Sequence, residues 1–538
     1  MKRRNEWLCG LGVGLLLMTA AAGPAQTGGA RAGSASPETV AKFKETVRLL
    51  SSEDFKERQR GEAAVQSLPP DALELVQRAV EDPKVDPEVR ARLKRALPAF
   101  QTKAVTASAE DQEAADEAWL LKVTLAAYDQ GTHRDPRWDA LVHEAFTAEL
   151  QVGPETLTVE FAGHSAGMFK KAVDAGADDP LVLHAYAAEL SRTPTADRKE
   201  VHRLVSKAAE RFNRENYPPV LKLAGFMAAM DGVSIDPGDP GDDEAQVQRY
   251  YDLAAGQWPE VAKMEGIPDA QLFKWSNQML GRAKDMLKWE EKGLVLSPLE
   301  QAKPTSPCTW YLRGKDAMGD AWAARGYGTA DTVTPERQRE MEEACSRARA
   351  DYEQAWRANP HSPWAPAAMI EVELLSPSGG SAQSGRQAME EWFKRAMDAN
   401  PDNEPAVTMK LNYLRSRWYG SDAELLGFAR EMVAKGHVPM ALITAHEWLS
   451  QESGNPAAYY AQPVVWLDIK RVYLPLLAKN PGSVFDRSWF LKYAAYAGDW
   501  QVAAAQIKLL GDHPAVNVFG SLAAYDALRK QVAKRVAN

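Results

Sequence analysis

The chain has little that reacts. Three cysteines occur in 538 residues, and one of them, Cys9, lies near the start, so a disulfide-dense scaffold is excluded. The nine histidines are scattered, with no H-E-x-x-H and no C-x-x-C, and no phosphate-cradling glycine motif occurs. His446-Glu447 is followed by Trp448-Leu449 instead of a second ligand, and His133 and His143 are not at a metal-binding spacing. Positive charge is also short. Sixty-four Lys and Arg stand against seventy-three Asp and Glu, a net charge of −9, which leaves no overall electrostatic footprint for nucleic acid or for an anionic membrane. After the first two dozen residues no apolar run reaches the roughly 20 residues needed to span a bilayer, so no membrane span is expected in the mature chain. The sequence offers no cofactor-binding pattern.

The N-terminus reads as an export signal. Lys2, Arg3 and Arg4 precede an apolar run from Trp7 to Met18, and Ala20-Ala21-Ala22 supplies small residues for cleavage. Residues 1–22 are therefore predicted to be a signal peptide and 23–36, rich in Gly, Ala and Ser, a flexible linker. Cys9 does not follow a lipobox, so a lipid anchor is not indicated. Cleavage after Ala22 removes three basic residues and Glu6 and moves the net charge to about −11. The expected location is periplasmic or secreted. In that oxidising setting Cys308 and Cys345 could pair and staple neighbouring helices; two buried free thiols are the other reading.

What is abundant is helical punctuation. Ala355-Trp356-Arg357-Ala358-Asn359-Pro360 returns as Ala396-Met397-Asp398-Ala399-Asn400-Pro401, and more loosely as Leu476-Leu477-Ala478-Lys479-Asn480-Pro481. The phrase is a helix ending, because Pro forbids continuation. Its recurrence at one and two units of about 40 residues indicates stacked helical hairpins, none able to bury its apolar face alone. Helix starts recur as well: Asp86-Pro87-Glu88, Asp135-Pro136 and Asp179-Pro180 place an acidic cap before Pro at the first helical position. Four helical patterns run from Pro37 to Phe100, a polar stretch from Gln101 to Asp111 reads as a link, and further helices follow. Gly232 to Asp243 reads as a loop whose four Asp residues lack the EF-hand alternation.

The run around Glu53-Asp54-Phe55 and the phrase Asp86-Pro87-Glu88-Val89-Arg90 resemble HEAT-like repeats over about 37–100. Ala321-Trp322-Ala323-Ala324-Arg325-Gly326-Tyr327-Gly328 resembles a signature of the uncharacterised bacterial domain-of-unknown-function 4034 family. Arg417-Trp418-Tyr419-Gly420-Ser421-Asp422 resembles its second signature, which usually has Gly where Tyr419 stands. That resemblance covers roughly 310–434 and implies a tetratricopeptide-like fold, with no activity attached. It makes Trp310, Trp322, Arg325, Gly326, Trp418, Gly420 and Ser421 the family-signature residues and candidates for a groove. The expected architecture is all-α, a helical-hairpin solenoid: HEAT-like over 37–100, a helical repeat region over 110–300, and a tetratricopeptide-like domain over 301–538.

Two function classes remain open. An exported scaffold binding a protein or peptide fits an extended helical face with no dedicated chemistry, and so does a purely structural envelope component. An exported hydrolase is the alternative. Gly163-His164-Ser165-Ala166-Gly167 matches the nucleophile elbow, with Ser165 as nucleophile and His184 or His202 as possible bases. Against it, Thr158 and Glu160 alternate with apolar residues where an elbow strand is continuously apolar. A loop before a helix is the plainer reading of the motif. The other hydrolase version is an α/α toroid acting on glycans, with two acids about 5–10 Å apart and Trp platforms. Sixteen Trp residues suit either a groove or helix seams.

Overall fold

The computed structural model describes residues 37–52, 54–68, 72–82, 84–151, 159–191, 197–235, 240–285, 292–326 and 328–537. The signal-peptide and linker readings lie outside them. Every regular element among the described residues is helical. In chain order these are α1 (Pro37–Leu50), α2 (Phe55–Ser67), α3 (Leu73–Glu81), α4 (Pro87–Gln130), α5 (Asp139–Gln151), α6 (Val159–Asp174), α7 (Pro180–Ser191), α8 (Arg198–Arg214), α9 (Pro219–Ile235) and α10 (Pro240–Lys263). Then follow α11 (Asp269–Asp285), α12 (Lys292–Ala302), α13 (Pro307–Arg325), α14 (Pro335–Ala358), α15 (Trp364–Leu375), α16 (Ala382–Ala399), α17 (Glu404–Tyr413) and α18 (Asp422–Lys435). The last are α19 (Met440–Glu452), α20 (Pro456–Tyr460), α21 (Pro463–Lys479), α22 (Val484–Ala497), α23 (Trp500–Leu510), α24 (Val516–Phe519) and α25 (Leu522–Ala537). The chain is an all-α solenoid of helical hairpins. Among the described residues two compact units result, one over Ala114–Gln257 and the other comprising 37–113 together with Trp258 onward.

The Asn-Pro phrases do end helices, at α14, α16 and α21. Each Asn amide still donates to the carbonyl four residues back, yet its φ is −145°, −152° and −127° for Asn359, Asn400 and Asn480. These are extended, not left-handed, conformations, because the following Pro pushes its predecessor out of the helical region. The Asn then folds the next turn. The carbonyls of Asn359, Asn400 and Asn480 accept from the amides three residues on, and the side chains of Asn359 and Asn400 accept from His361 and Asp402. In two of the three the turn delivers the next helix cap directly. Asn403 receives the Ala406 amide at 2.8 Å and Ser483 the Asp486 amide at 3.2 Å.

Of the Asp-Pro starts, those at Asp86 and Asp179 hold, while Asp135-Pro136 opens a turn and α5 begins only at Asp139. Asp86 accepts from Glu88 and Val89 at the head of α4, and Leu50, Val65, Leu68, Val76, Val89 and Leu93 close a small core over α1 to the start of α4. α4 does not stop where the polar link was expected. It continues through 101–111 to Gln130, since that Ala-rich stretch holds neither Gly nor Pro and polar character alone does not break a helix. The Asp-rich loop is also shorter than expected: α9 reaches Ile235 and α10 begins at Pro240. In the first unit α7 packs on α6 and α8, and α8 on α9, where Gly225 and Gly232 let the backbone approach Phe212 and Val205. Buried Asp179 caps α7 through the Leu181 amide and accepts the Tyr217 hydroxyl at 2.7 Å; burial raises its pKa above the usual carboxylate value.

In the second unit, α13 and α14 form the most extensive seam, lined by Ala321, Ala344 and Ala348, with Gly314 directly beneath the buried Tyr352 ring. Cys308 and Cys345 are separate buried thiols. Tyr311 meets Tyr352 across this seam at 5.7 Å, and Cys345 lies seven residues from Tyr352 toward the turn while Cys308 lies three from Tyr311 away from it. That offset is about 15 Å of helix rise, beyond the roughly 7 Å a disulfide tolerates. Cys308 instead faces Ser276 at 3.8 Å, and burial pushes both thiols up to about 12. Successive first helices of the hairpins touch one another, α13 to α15, α15 to α17 and α17 to α19, so their ends form a continuous row.

Candidate functional site

The two signature stretches, some ninety residues apart in sequence, meet on that row. Trp322, in the last turn of α13, stands edge-on to Trp418, in the turn after α17, with ring centroids 6.2 Å apart at 82°. The Arg325 guanidinium lies 5.8 Å from the Trp418 ring and donates to the Gly328 carbonyl at 2.9 Å. Trp322 donates its indole N–H to Glu371 of α15 at 2.7 Å. Three successive hairpins thus each supply one wall of a half-buried aromatic and charged cluster.

The remaining signature residues build this geometry. Gly326 ends α13 with φ +65°, a conformation that favours glycine. Gly420 is required by close approach: a Cβ there would lie 2.3 Å from the Leu414 carbonyl oxygen. Ser421 accepts the Glu424 amide and donates to its carboxylate, the reciprocal cap that starts α18. The tight turn so made folds Tyr419 onto Tyr413, stacked at 4.8 Å. Trp310 lies elsewhere, under the Arg313 guanidinium at 4.7 Å, and takes no part in the cluster.

Two donors in the cluster are unpaired. The Trp418 indole N–H and the Tyr413 hydroxyl are both buried and have no hydrogen-bond partner, and burial pushes Tyr413 up to about 12. Buried donors left so are expensive, a cost that the packing around them must offset. Glu373, two residues beyond Glu371, is fully buried and already satisfied. Arg349 pairs with it, and Ser378 donates both its amide and its hydroxyl at 2.7 Å. It locks α15 to α14 and is not available for acid–base work. On the α13–α14 face a shallow cleft of about 400 Å³ is lined by Asp320, Arg337, Glu340, Glu343 and Arg347, with Arg347 paired to Asp320 at 3.1 Å.

Neither reading of the Gly163 to Gly167 motif holds, the elbow of the alternative hydrolase or the plainer loop. Gly163 to Gly167 lies inside α6, so Ser165 sits within a helix, neither on a strand-to-helix turn nor in a loop before a helix. Its hydroxyl is buried without a partner, where no substrate carbonyl reaches it. The glycine pair that suggested a turn is tolerated in the helix, with nothing within 4 Å of Gly167. Among the described residues no cluster of His, Cys, Asp and Glu could hold a metal ion, and no helix is long and apolar enough to cross a membrane.

Sequence reasoning missed one constellation. His446 of α19 accepts or donates at both ring nitrogens, to Tyr459 at 2.8 Å and to Asp468 at 3.2 Å. Asp468, 2 % exposed, is further held by Arg430 at 2.7 Å and Arg471 at 2.9 Å. The order carboxylate, imidazole, hydroxyl is that of a proton relay. Here the carboxylate is saturated by two guanidinium groups and the hydroxyl is a phenol that burial pushes up to about 12. The arrangement clasps α18, α19, α20 and α21 together. No local pattern announces it, since its members are spread from Arg430 to Arg471.

No family model matches the chain, and no curated protein matches it. Among solved structures, a monomeric mutant of IFIT1 with m7Gppp-AAAA is 11% identical and covers 88% of each chain, with a TM-score of 0.34. A human IFIT1 dimer with PPP-AAAA is 12% identical over 88% of this chain and 95% of that one, with a TM-score of 0.33. A circular tandem repeat protein is 15% identical, with coverage of 88% and 96% and a TM-score of 0.13.

Proposed function

We propose that the chain is an exported helical-repeat scaffold that binds a protein or peptide partner through the Trp322–Trp418 cluster, and that 310–434 belongs with the domain-of-unknown-function 4034 family. The observation that carries this is the convergence of the two signature stretches on one half-buried site. Trp322, Arg325 and Trp418 meet there, each half-buried and so partly open at the surface. Trp and Arg are the side chains that anchor protein interfaces. The charged N-terminus, apolar run and Ala20-Ala21-Ala22 support export.

The test is selection from a displayed library of random dodecapeptides on the full mature chain. Peptides that bind the native protein and lose at least tenfold in affinity to Trp418→Ala and to Arg325→Ala are the expected result. No enrichment, or binding indifferent to both substitutions, overturns the proposal. Secretion is tested separately, by the size and compartment of the expressed chain in a bacterial host.

A further inference from the structure

Large apolar side chains that stay exposed are concentrated at one end of the described chain. Of the ten such residues, nine fall between Val464 and Val536. Their most regular group lies on α21. Val464, Leu467 and Leu474 are each 54 % exposed, and with Arg471, Pro475 and Ala478 they fall within an arc of about 100°. The opposite arc carries the buried Val465, Trp466, Ile469, Val472, Tyr473 and Leu477. α21 is thus apolar on both sides: one side is packed into the hairpin and the other is open.

Every charge that α21 itself leaves open has one sign. Lys470 and Lys479 flank it on either side and Arg471 lies within it, while the only acid on the helix, Asp468, is buried and held by Arg430, Arg471 and His446. The surrounding sequence agrees. Residues 463–538 hold ten Lys and Arg against five Asp and Glu, whereas 1–462 hold fifty-four against sixty-eight. The net acidity of the chain conceals a basic C-terminal segment.

We propose that the exposed face of α21 is a membrane-surface contact, resting on anionic lipid headgroups with Val464, Leu467 and Leu474 dipping into the interface. A narrow apolar stripe bordered by lysines and free of exposed acid is the composition of an interfacial helix, in which long basic side chains reach headgroup phosphates while their stems lie along the apolar boundary. The patch size favours this occupant. Three half-exposed aliphatic side chains offer only about 250 Å², well short of the roughly 800 Å² per partner of a stable protein interface. A lipid surface requires no such minimum, because each apolar and basic group adds to a weak attachment. The acidic remainder of the chain is screened beyond about 8 Å at physiological salt.

The experiment is cosedimentation of the full mature chain with vesicles of phosphatidylcholine alone and of phosphatidylcholine with phosphatidylglycerol in equal parts. Binding to the anionic vesicles only is expected. It should fall at least fivefold at about 0.5 M salt, where the Debye length shrinks to a few ångströms, and at least fivefold again in Leu467→Gln/Leu474→Gln. Lys479→Gln, which changes an exposed side chain in the last turn of α21, should weaken binding while leaving the melting temperature unchanged, and it serves as the second variant if the first unfolds. Absence of binding, equal binding to neutral vesicles, or wild-type binding by the lysine variant overturns the proposal. So does a dimer in light scattering that Leu467→Gln/Leu474→Gln dissociates without any vesicle binding, which would assign the stripe to a second copy of the chain.

Discussion

Replacing Gly314 by Ala tests the tightest seam of the fold. A Cβ at this position would sit 2.5 Å from Tyr352 Cε1, 2.6 Å from Cδ1 and 3.0 Å from Cζ. Tyr352 is 2 % exposed and meets Tyr311 at 5.7 Å, so its ring has no free direction in which to swing. α13 and α14 must then part by roughly 1 Å, and overpacking of this kind costs about 1–3 kcal/mol. Ala in place of Gly in a helix returns about 1 kcal/mol. The net loss is up to about 2 kcal/mol, a fall of up to roughly 3 °C in melting temperature for a unit of more than 300 residues. Gly427 provides the opposite sign within the same unit. It lies in α18 with nothing within 4 Å of its would-be Cβ, so Gly427→Ala should gain up to about 1 kcal/mol. Both are measured by thermal and urea unfolding of the full chain. A Gly314→Ala variant as stable as Gly427→Ala would refute the account of this seam.

Three further outcomes follow from buried polar groups. His446 is held neutral by burial, which lowers its pKa below 6.5 despite Asp468 beside it, so the stability it lends is complete above about pH 6.5 and is lost as pH falls below that value. Glu447, whose pKa burial raises, acts in the opposite direction, so the informative quantity is the difference from His446→Gln, which should lose less stability than the native chain between pH 6.5 and 5; identical pH profiles would contradict it. Ser165→Ala removes a buried hydroxyl with no partner and should leave stability unchanged or raise it by about 1 kcal/mol, while a fluorophosphonate leaves the native chain unlabelled; labelling at Ser165 would restore the esterase reading. Cys308 and Cys345 should react with a thiol reagent only after unfolding, since burial pushes both up to about 12; fast native labelling or a bridge on mass analysis would show the packing to be wrong.

Local signals in the sequence were most reliable where one or two residues suffice to act. Asn-Pro stops α14, α16 and α21, and Asp-Pro starts α4 and α7 but not α5, which begins three residues beyond Pro136. These work through sterics and capping within four residues, so they are readable without neighbours. The errors arose where absence of a breaker mattered more than polarity, as in α4 across 101–111, or where a pattern ignored context, as with Gly163 to Gly167 inside α6. The site was legible only as a set of names. Trp322 and Trp418 stood out separately, but their meeting depends on how three hairpins stack, and the unpaired Trp418 indole and the His446–Asp468 clasp depend on it too.

The affinity of one selected peptide for the native chain, for Trp418→Ala and for Trp356→Ala, each by calorimetry, bears most directly on the proposed function. Trp356 is an equally large residue placed outside the cluster, against Trp392 and the Arg395 guanidinium. The account expects at least a tenfold loss, about 1.4 kcal/mol or more, at Trp418 and none at Trp356. Equal losses at both, or none at either, would contradict it.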